Sequence, residues 1–437
     1  MAVIDSAPGS AFPKGTRSFI LITAFLNLAG IGIVAPVLNF VAGRYVTDPD
    51  QLAWTVSLLF TAYSLFQFIA TPTLGALSDR FGRRPVLLVS LVGSAIGYAM
   101  LGIGGALWVL FAGRIIDGIT GGNISTIYAY AADISTPQER TRFFGQIGAW
   151  SGMGFVIGPA LGGLLYQVTG ALEAPFFAAA LVTLFNVVWG WFVMPESLRA
   201  DRRVTNIPLY RLNPVSQLTG VFRIAHIRFL LIAILLWTIT FAVLQSNIAY
   251  LTEDQLGWTP NQTNLLFFGI GLLQVFTQGF LIPRLVPRFG EGRLAVGGML
   301  SMVIGLCIIG VGALTGSAAL VFAAILFNST GNGLTIPTTT ALMSGSVSLR
   351  EQGSIQGGNQ SIQALGRVLG PLYAGFVYTT FSAAATYFSA AGLLVVAALF
   401  AAYSVRVIGQ YQARRATEQN AVSLTAETAA VQVNTPR

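Results

Sequence analysis

Charged residues are the scarcest component of this chain. Of its 437 residues only 9% are Asp, Glu, Lys or Arg, whereas 54% are hydrophobic, and the mean hydropathy is +0.70. A soluble domain carries roughly 25% charged residues, so this composition excludes a water-soluble globule. It also excludes a disordered chain, which needs low hydrophobicity and high charge.

Cysteine and histidine are nearly absent, because Cys307 and His226 are the only examples. Disulfide frameworks, zinc sites and Cys/His dyads need more of these side chains, and no Walker A, kinase or nucleophile-elbow motif occurs. The net charge of +8 does not indicate nucleic-acid binding, since the basic residues lie scattered between apolar runs. We therefore expect no cofactor, no metal, no nucleic-acid partner and no enzymatic activity.

Long apolar runs, in contrast, are abundant, and runs of about 18 or more such residues predict membrane-spanning helices. The chain contains twelve, at 18–42, 53–74, 86–104, 107–131, 142–167, 174–194, 228–251, 263–282, 294–313, 317–341, 353–378 and 384–406. Of the 24 Lys and Arg residues, 21 lie on the side of the N-terminus, only Arg44 lies on the other side, and Arg114 and Arg367 lie within spans. The positive-inside rule then predicts that both termini are cytoplasmic.

The longest connection between spans divides the chain into two sets of six. The predicted parts are a cytoplasmic N-terminal tail (1–17), an N-terminal six-helix bundle (18–194), a cytoplasmic central loop (195–227), a C-terminal six-helix bundle (228–406) and a disordered cytoplasmic tail (407–437). The predicted fold class is therefore an all-α membrane protein with twelve transmembrane helices.

The two halves repeat each other in sequence. Two pairs of motifs recur, at offsets of 212 and 208 residues: Gly154-x-x-x-Gly158-Pro159-x-x-x-Gly163 with Gly366-x-x-x-Gly370-Pro371-x-x-x-Gly375, and Arg80-Phe81-Gly82 with Arg288-Phe289-Gly290. Two similar bundles about a pseudo-two-fold axis are typical of alternating-access carriers. We expect the bundles to rock about spans 2, 5, 8 and 11, whose small residues allow close sliding.

The connection between spans 2 and 3 reads GALSDRFGRRP over residues 75–85. Gly75 predicts a close approach of span 2 to a neighbour, and Gly82 predicts a tight turn. Asp79 is expected at a helix N-terminus, where the helix dipole favours a carboxylate. Arg83 and Arg84 are expected to pair with acids or with lipid phosphates. A basic loop that only set the topology would need neither Asp79 nor the glycines.

These eleven residues resemble the signature of the major facilitator superfamily. Two further segments, GRIIDGITGGN at 113–123 and GFVIGPALGG at 154–163, together with the acid Asp133, are similar to the drug:proton antiporters, above all the tetracycline/proton antiporters. The resemblance implies that Asp79, Arg83 and Asp133 form a network that latches the outward-facing state. We assign the rest of the loop to the same latch, namely Gly75, Arg80, Gly82 and Arg84.

The resemblance also implies roles in the fourth and fifth spans. Arg114 belongs to a motif linked to proton movement, and the element usually called the antiporter motif comprises Gly154, Gly158, Pro159, Gly162 and Gly163. The tetracycline carriers have carboxylates in spans 1, 3 and 9, where this chain has Asn27, Gly97 and Met302. The resemblance therefore implies neither tetracycline as the substrate nor proton coupling through those positions.

Asp117 is the one acid deep within a span. It lies about ten residues into the fourth span, or roughly 15 Å at the helical rise, and Arg114 is three residues away on the same face. Because an intramembrane charge is costly, one hypothesis is that Asp117 binds and releases a proton while Arg114 shifts its pKa. The alternative is a static Arg–Asp pair that fixes helix packing.

Arg367 adds a second intramembrane charge that the first half lacks, since Phe155 occupies the matching position. It would bind an anionic or polar group of the substrate or pair with Asp117. Other polar residues occur at helical spacing within the spans and would either join helices or line a cavity. The predicted substrate cavity comprises Arg367 with Asn27, Tyr63, Gln67, Asn123, Gln245, Asn328, Asn332 and Gln363.

The sequence thus predicts a secondary active transporter that exports a small amphipathic compound in exchange for protons. Its expected partners are this small molecule, protons and membrane lipids, and we expect a monomer in the inner (cytoplasmic) membrane. One alternative is a carrier of a sugar, metabolite or lipid by symport, uniport or flipping. The other is a membrane sensor that has lost transport, although such a protein would not need the latch at 75–85.

Overall fold

The computed structural model describes residues 14–34, 37–207, 212–346 and 352–433, and all the regular secondary structure in these ranges is helical. The helices of the first half are α1 (Lys14–Val34), α2 (Leu38–Ala42), α3 (Pro49–Phe81), α4 (Arg83–Ile103), α5 (Leu107–Gly121), α6 (Ile124–Asp133), α7 (Pro137–Thr169) and α8 (Ala174–Val193). The second half contains α9 (Pro214–Phe222), α10 (Arg228–Leu256), α11 (Pro260–Phe276), α12 (Ile282–Thr315), α13 (Ala318–Gly345), α14 (Gln352–Thr380) and α15 (Ala383–Val433).

The predicted spans correspond to these helices, with three differences in detail. In the described residues nine stretches are long and apolar enough to cross a membrane, and one of them, Asn261–Thr315, holds the predicted eighth and ninth spans. The fourth span is divided between α5 and α6 at Gly122–Asn123. The eleventh span, α14, is rich in Gly, Gln and Ser, which lowers its hydropathy.

Local sequence explains where several helices begin and end. The Asp48 side chain accepts a hydrogen bond from the Gln51 amide at 2.9 Å, and Pro49 occupies the first turn of α3, where its missing N–H is not needed. Thr136 and Pro137 start α7 in the same way. The last helix, α15, continues to Val433. Its polar end, where composition predicts a disordered tail from 407, is rich in Ala, Glu and Gln, which favour helix.

Six-helix packing is the same in the two halves. In the first half α1 packs on α7, and α4 packs on α5 and α8; in the second, α10 packs on α14 and α12 packs on α13. The halves meet where α3 packs on α14 and where α7 packs on α11. These are spans 2, 11, 5 and 8, the four at which the sequence predicted sliding.

The glycine repeats occupy equivalent places in the two bundles. A Cβ on Gly158 would overlap the carbonyl oxygen of Ala29 on α1, and a Cβ on the matching Gly370 would lie 2.6 Å from the carbonyl oxygen of Ile239 on α10. Gly82 and Gly290 follow the matching Arg-Phe pairs with φ of +104° and +74°. Only glycine adopts this backbone readily, so the tight turn predicted at Gly82 is confirmed.

Candidate functional site

A cavity of about 170 Å³ lies between the two bundles. Both bundles contribute side chains to it, and five of the residues predicted from the sequence line it: Asn27, Gln67, Gln245, Gln363 and Arg367. The remaining lining is a mixture of aromatic, aliphatic, hydroxyl and amide side chains. Such a wall suits a molecule that is apolar over most of its surface and has a few hydrogen-bonding groups.

Two other predicted residues lie behind this wall. Tyr63 and Asn123 are 3% and 0% exposed and do not line the cavity. Each one contacts a residue that does: Gln67 donates to the Tyr63 hydroxyl at 2.9 Å, and the Asn27 amide donates to the Asn123 side-chain oxygen. Because these side chains hold cavity residues in place, they can influence binding without touching a solute.

The last two predicted cavity residues belong elsewhere. Asn328 and Asn332 line a separate, narrow space of about 50 Å³ within the second half, which Gln245 also borders. Helical spacing placed these two amides on one face of their helix but could not say which of the two spaces that face would meet.

Beside the central cavity, Arg114 and Asp117 form an ion pair inside the first bundle. Arg114 Nη1 lies 3.5 Å from Asp117 Oδ2, and the two side chains are 0% and 2% exposed. The guanidinium carbon lies 4.2 Å from the centre of the Tyr63 ring, and Arg114 Nε donates to the Leu59 carbonyl at 3.4 Å. Two groups of α3 therefore hold Arg114 in place: the face of the Tyr63 ring and the backbone carbonyl of Leu59.

A line of polar contacts runs from this ion pair to the cavity. Gln67, one turn from Tyr63, donates to the Tyr63 hydroxyl and to the Gly121 carbonyl, at 2.9 and 3.2 Å. Its side-chain oxygen accepts from Arg367 Nη2 at 3.2 Å. Tyr63 and Gln67 thus lie between the buried pair and Arg367, and this contact joins the first bundle to the second.

Gly97 of α4 stands where the tetracycline carriers have a carboxylate in the third span, and it lies against Asp117 of α5. A Cβ on Gly97 would lie 2.8 Å from the Cβ of Asp117 and 2.8 Å from the Gly113 carbonyl oxygen. The α4 helix therefore approaches α5 closely at this level, and the Asp117 carboxylate is the acid at this contact between the third and fourth spans.

The predicted latch residues gather around Arg83 at one end of the first bundle. Arg83 Nη1 lies 2.5 Å from Asp79 Oδ1, and Arg83 Nε lies 3.3 Å from Asp133 Oδ2. Gly75 lets α3 approach α6, since a Cβ there would lie 3.2 Å from the Ser125 hydroxyl. The three charged residues of the predicted network are therefore in direct contact.

The other two arginines of the loop contact aromatic rings. Arg84 donates to the Trp191 carbonyl at 2.6 Å and lies over its ring. The guanidinium of Arg80 lies 5.3 Å from the centre of the exposed Phe81 ring. Arg83 and Arg84 were both expected to pair with acids or lipid phosphates. Arg83 contacts acids, whereas Arg84 contacts Trp191.

Glu196 also belongs to this cluster, although no sequence motif predicted it. Its carboxylate accepts the backbone amides of Arg83 and Arg84, at 2.9 and 3.3 Å, at the N-terminus of α4. Asp79 was expected at a helix N-terminus, where the helix dipole favours a carboxylate. Glu196 occupies that position at α4 instead, because Asp79 lies in the last turn of α3. Glu196 follows α8 and lies 113 residues after Arg83 in the chain. The MPES segment that contains it is the one sequence feature that could have indicated its role.

The antiporter motif lies along α1. Gly154, Gly158 and Gly162 face the backbone of α1, and Pro159 contacts Gly32 on that helix. Gly163 lines a different space of about 730 Å³, between α7 and α11. Pro159 also borders the smaller cavity of the second half, so the motif touches both bundles.

Known proteins are similar to this chain over most of its length. The sequence pattern of the Major Facilitator Superfamily matches residues 20–371 and 230–432. The class C tetracycline resistance protein of Escherichia coli is 35% identical over 389 residues, covering 89% of this chain and 95% of that protein. Major facilitator superfamily domain-containing protein 10 of Homo sapiens is 30% identical over 357 residues, covering 78% of this chain and 76% of that protein.

Solved structures give the same result. The human organic anion transporter MFSD10 (TETRAN) superimposes with a TM-score of 0.69 at 25% identity, covering 88% of this chain and 98% of that one. The nucleoside transporter NupG gives a TM-score of 0.63 at 12% identity, covering 91% and 99%, and shows the fold alone. With two repeated bundles, a cavity between them and these relatives, the chain is a multi-pass membrane transporter, not an enzyme, and belongs to the major facilitator superfamily, among its drug antiporters.

Proposed function

We propose that this transporter exports small amphipathic compounds in exchange for protons. The observation that carries the proposal is the Arg114–Asp117 pair, almost fully buried and joined to the cavity through Tyr63 and Gln67. A buried ion pair contributes little to stability compared with apolar residues of the same volume. Its presence inside an apolar bundle therefore supports a role in transport.

The same contacts suggest how proton binding and bundle movement are coupled. The Arg114 guanidinium stabilises the charged carboxylate of Asp117, and its own position depends on Tyr63 and Leu59 of α3. A shift of α3 that withdraws the arginine leaves a desolvated carboxylate, which then binds a proton. Because Gln67 on α3 also contacts Arg367 of the second bundle, rocking of the bundles moves the helix that holds the arginine.

The proposed direction depends on orientation. The excess of Arg and Lys on the side of the N-terminus supports cytoplasmic termini and insertion in the cell membrane. The latch around Arg83 would then face the cytoplasm.

The experiment uses the full chain in proteoliposomes with an imposed pH gradient and two probes, ethidium and tetracycline. We expect the gradient to drive accumulation of at least one probe, and Asp117→Asn to abolish this drive while the protein still inserts. The matched control is Asp201→Asn, because Asp201 is an exposed acid outside the spans. Unchanged gradient-driven transport by the Asp117 variant would reject the proposal.

A second candidate, a carrier of an organic anion, is favoured by Arg367. In the part of the chain that the structure describes, Arg367 is the one charged residue among those lining the central cavity. A cation in that position suits a negatively charged solute, and the similar MFSD10 is an organic anion transporter. Loss of anion transport in Arg367→Gln, with no effect of an imposed pH gradient, would favour this candidate.

A further inference from the structure

The smaller cavity, a narrow space of about 50 Å³, lies within the second half and is hereafter called the annex. Its walls come mainly from α10, α11 and α13, with Phe155 and Pro159 of α7 closing one side. No charged residue is found among the described residues that line it. Most of the wall is aliphatic or aromatic, so the annex is an apolar space in which a few polar atoms stand out.

Those polar atoms are buried and lack protein partners. Gln274, Asn328, Ser329 and Asn332 are each 4% exposed or less. Within the described residues, five of their side-chain atoms have no hydrogen-bond partner: Gln274 Oε1, Asn328 Oδ1, Ser329 Oγ, Asn332 Nδ2 and Asn332 Oδ1. Buried polar groups are nearly always hydrogen-bonded, and those that are not require a specific physical reason.

The arrangement of these groups argues against ordinary packing. Asn328 and Asn332 are four residues apart on α13, with Ser329 beside them, so all three lie on one face of the helix. Gln274 reaches the same space from α11. Apolar side chains of the same size would fill a static core without leaving unpaired donors and acceptors. Four polar side chains converging on one apolar space are typical of a ligand site.

The annex borders the central cavity at two aromatic rings. Phe155 and Phe241 line both spaces, and their ring centres lie 5.5 Å apart. Phe155 belongs to the first half and Phe241 to the second, so relative movement of the two halves changes the separation of the rings. Gln245 also borders both spaces. The Phe155–Phe241 pair therefore lies where a solute in the central cavity would enter the annex.

We propose that the annex is a second binding subsite, which takes an uncharged, hydrogen-bonding aromatic end of the solute. A ring with a carbonyl, amide or hydroxyl group would pair with some of these atoms and contact the apolar walls. Since the annex is narrow in this structure, the ring would enter when the Phe155 and Phe241 rings separate. The absence of charge from the described lining excludes the ionic end, which stays beside Arg367. The role in transport rests on the proposed export function, whereas the binding itself does not.

The test measures equilibrium binding to the full chain in lipid nanodiscs, with empty nanodiscs as the blank and no proton gradient. The probe is a neutral aminomethylcoumarin, whose ring carries a carbonyl acceptor and an amine donor, and methylnaphthalene is the apolar comparison. We expect wild-type protein to prefer the coumarin by about tenfold, the effect of one or two buried hydrogen bonds. Asn332→Leu should remove this preference and leave methylnaphthalene binding unchanged.

Two further variants show whether the preference for the coumarin arises in the annex. Ser329→Ala removes one unpaired hydroxyl and adds no atoms, and it serves if Asn332→Leu fails to fold. Asn186→Leu is the matched control, because Asn186 is an equally buried amide that donates to Thr23 in the first bundle. It should bind the coumarin as the wild type does.

Three outcomes would overturn the proposal: equal binding of the two probes, unchanged coumarin binding in the folded annex variants, or an equal loss of binding in Asn186→Leu. Failure of proton coupling would be seen only in proteoliposomes, and it would leave coumarin binding unaffected. The two experiments can therefore reject binding in the annex without rejecting proton-coupled export, and the reverse.

Discussion

At the scale of single residues, the Arg114–Asp117 pair combines a buried cation with a buried anion, and neither is fully hydrogen-bonded. Within the described residues, both terminal guanidinium nitrogens and Asp117 Oδ2 have no hydrogen-bond partner. The stacked Tyr63 ring and the Leu59 carbonyl supply much of what holds the arginine. Such a pair is held together by charge more than by geometry, which suits a site that must separate and re-form.

The first prediction is that the two charges depend on each other for stability. Arg114→Gln alone leaves the carboxylate buried without a counter-charge, which costs about 3–5 kcal/mol. Adding Asp117→Asn removes that charge, so the double variant should be more stable than Arg114→Gln. Thermal unfolding of all four proteins in the same detergent gives the coupling free energy. Strictly additive losses would show that the residues do not interact.

The second prediction concerns Gln67, which contacts both Tyr63 and Arg367. Gln67→Leu removes these hydrogen bonds and should cost about 1 kcal/mol in stability, yet it should reduce gradient-driven transport several-fold. Gln146→Leu, at an exposed glutamine of α7, is the control and should change neither quantity. Transport rates in proteoliposomes, compared with unfolding temperatures, distinguish the two effects. Equal transport by the two variants would remove Gln67 from the coupling pathway.

Some of these contacts can be predicted from the sequence and others cannot. Arg114 and Asp117 are three residues apart on one helix, so helical geometry alone predicts their pairing. The Gln67–Arg367 contact spans 300 residues and the Glu196–Arg83 contact spans 113. Such contacts depend on how whole helices pack, which periodicity does not encode. For the same reason helical spacing placed Asn328 on a polar helix face but could not show that this face lines the annex.

At the scale of helices, the repeated glycines explain why the fold was recognisable from sequence. Each half needs one helix that approaches its neighbour at backbone distance, and only glycine allows this. The motif therefore recurs at Gly158 and Gly370, facing α1 and α10. The break between α5 and α6 at Gly122–Asn123 has no equivalent signature, because paired small residues also occur within continuous helices.

The third prediction uses two glycines of the same helix, α7. A Cβ on Gly158 would overlap the Ala29 carbonyl of α1, whereas a Cβ on Gly145 meets nothing within 4 Å. Gly158→Ala should lower stability by about 1–3 kcal/mol through overpacking, and Gly145→Ala should raise it by up to about 1 kcal/mol through helix propensity. Thermal unfolding measures both. A tolerated Gly158→Ala would mean that α1 and α7 separate easily.

At the scale of the whole molecule, hydrogen bonds join the two halves at the end opposite Arg83. Asn39 of α2 donates to Glu253 of α10 at 2.7 Å, and the Tyr250 hydroxyl donates to the Pro49 carbonyl at 2.6 Å. Near the same end, Gly375 of α14 lies directly against Ser57 of α3. Alternating access requires these contacts to open when the solute leaves on that side.

The last prediction is that fixing this contact stops transport. A Cβ on Gly375 would lie 3.1 Å from the Cβ of Ser57, close enough for a disulfide after a small shift. In a Cys307→Ser background, oxidised Ser57→Cys/Gly375→Cys protein should lose transport and recover it on reduction. Gly93→Cys/Thr120→Cys is the matched control, because its Cβ atoms are also 3.1 Å apart but belong to one bundle.

The control pair should cross-link without a comparable loss, since α4 and α5 move together within the first half. Mass spectrometry of the oxidised proteins gives the cross-linked fraction, and transport should fall in proportion to it only in the pair that joins α3 to α14. Full transport by a completely cross-linked Ser57→Cys/Gly375→Cys protein would contradict rocking of the two bundles. The solute would then have to cross without separation of α3 from α14. The Gln67–Arg367 contact could not then couple movement of these helices to proton binding at Asp117.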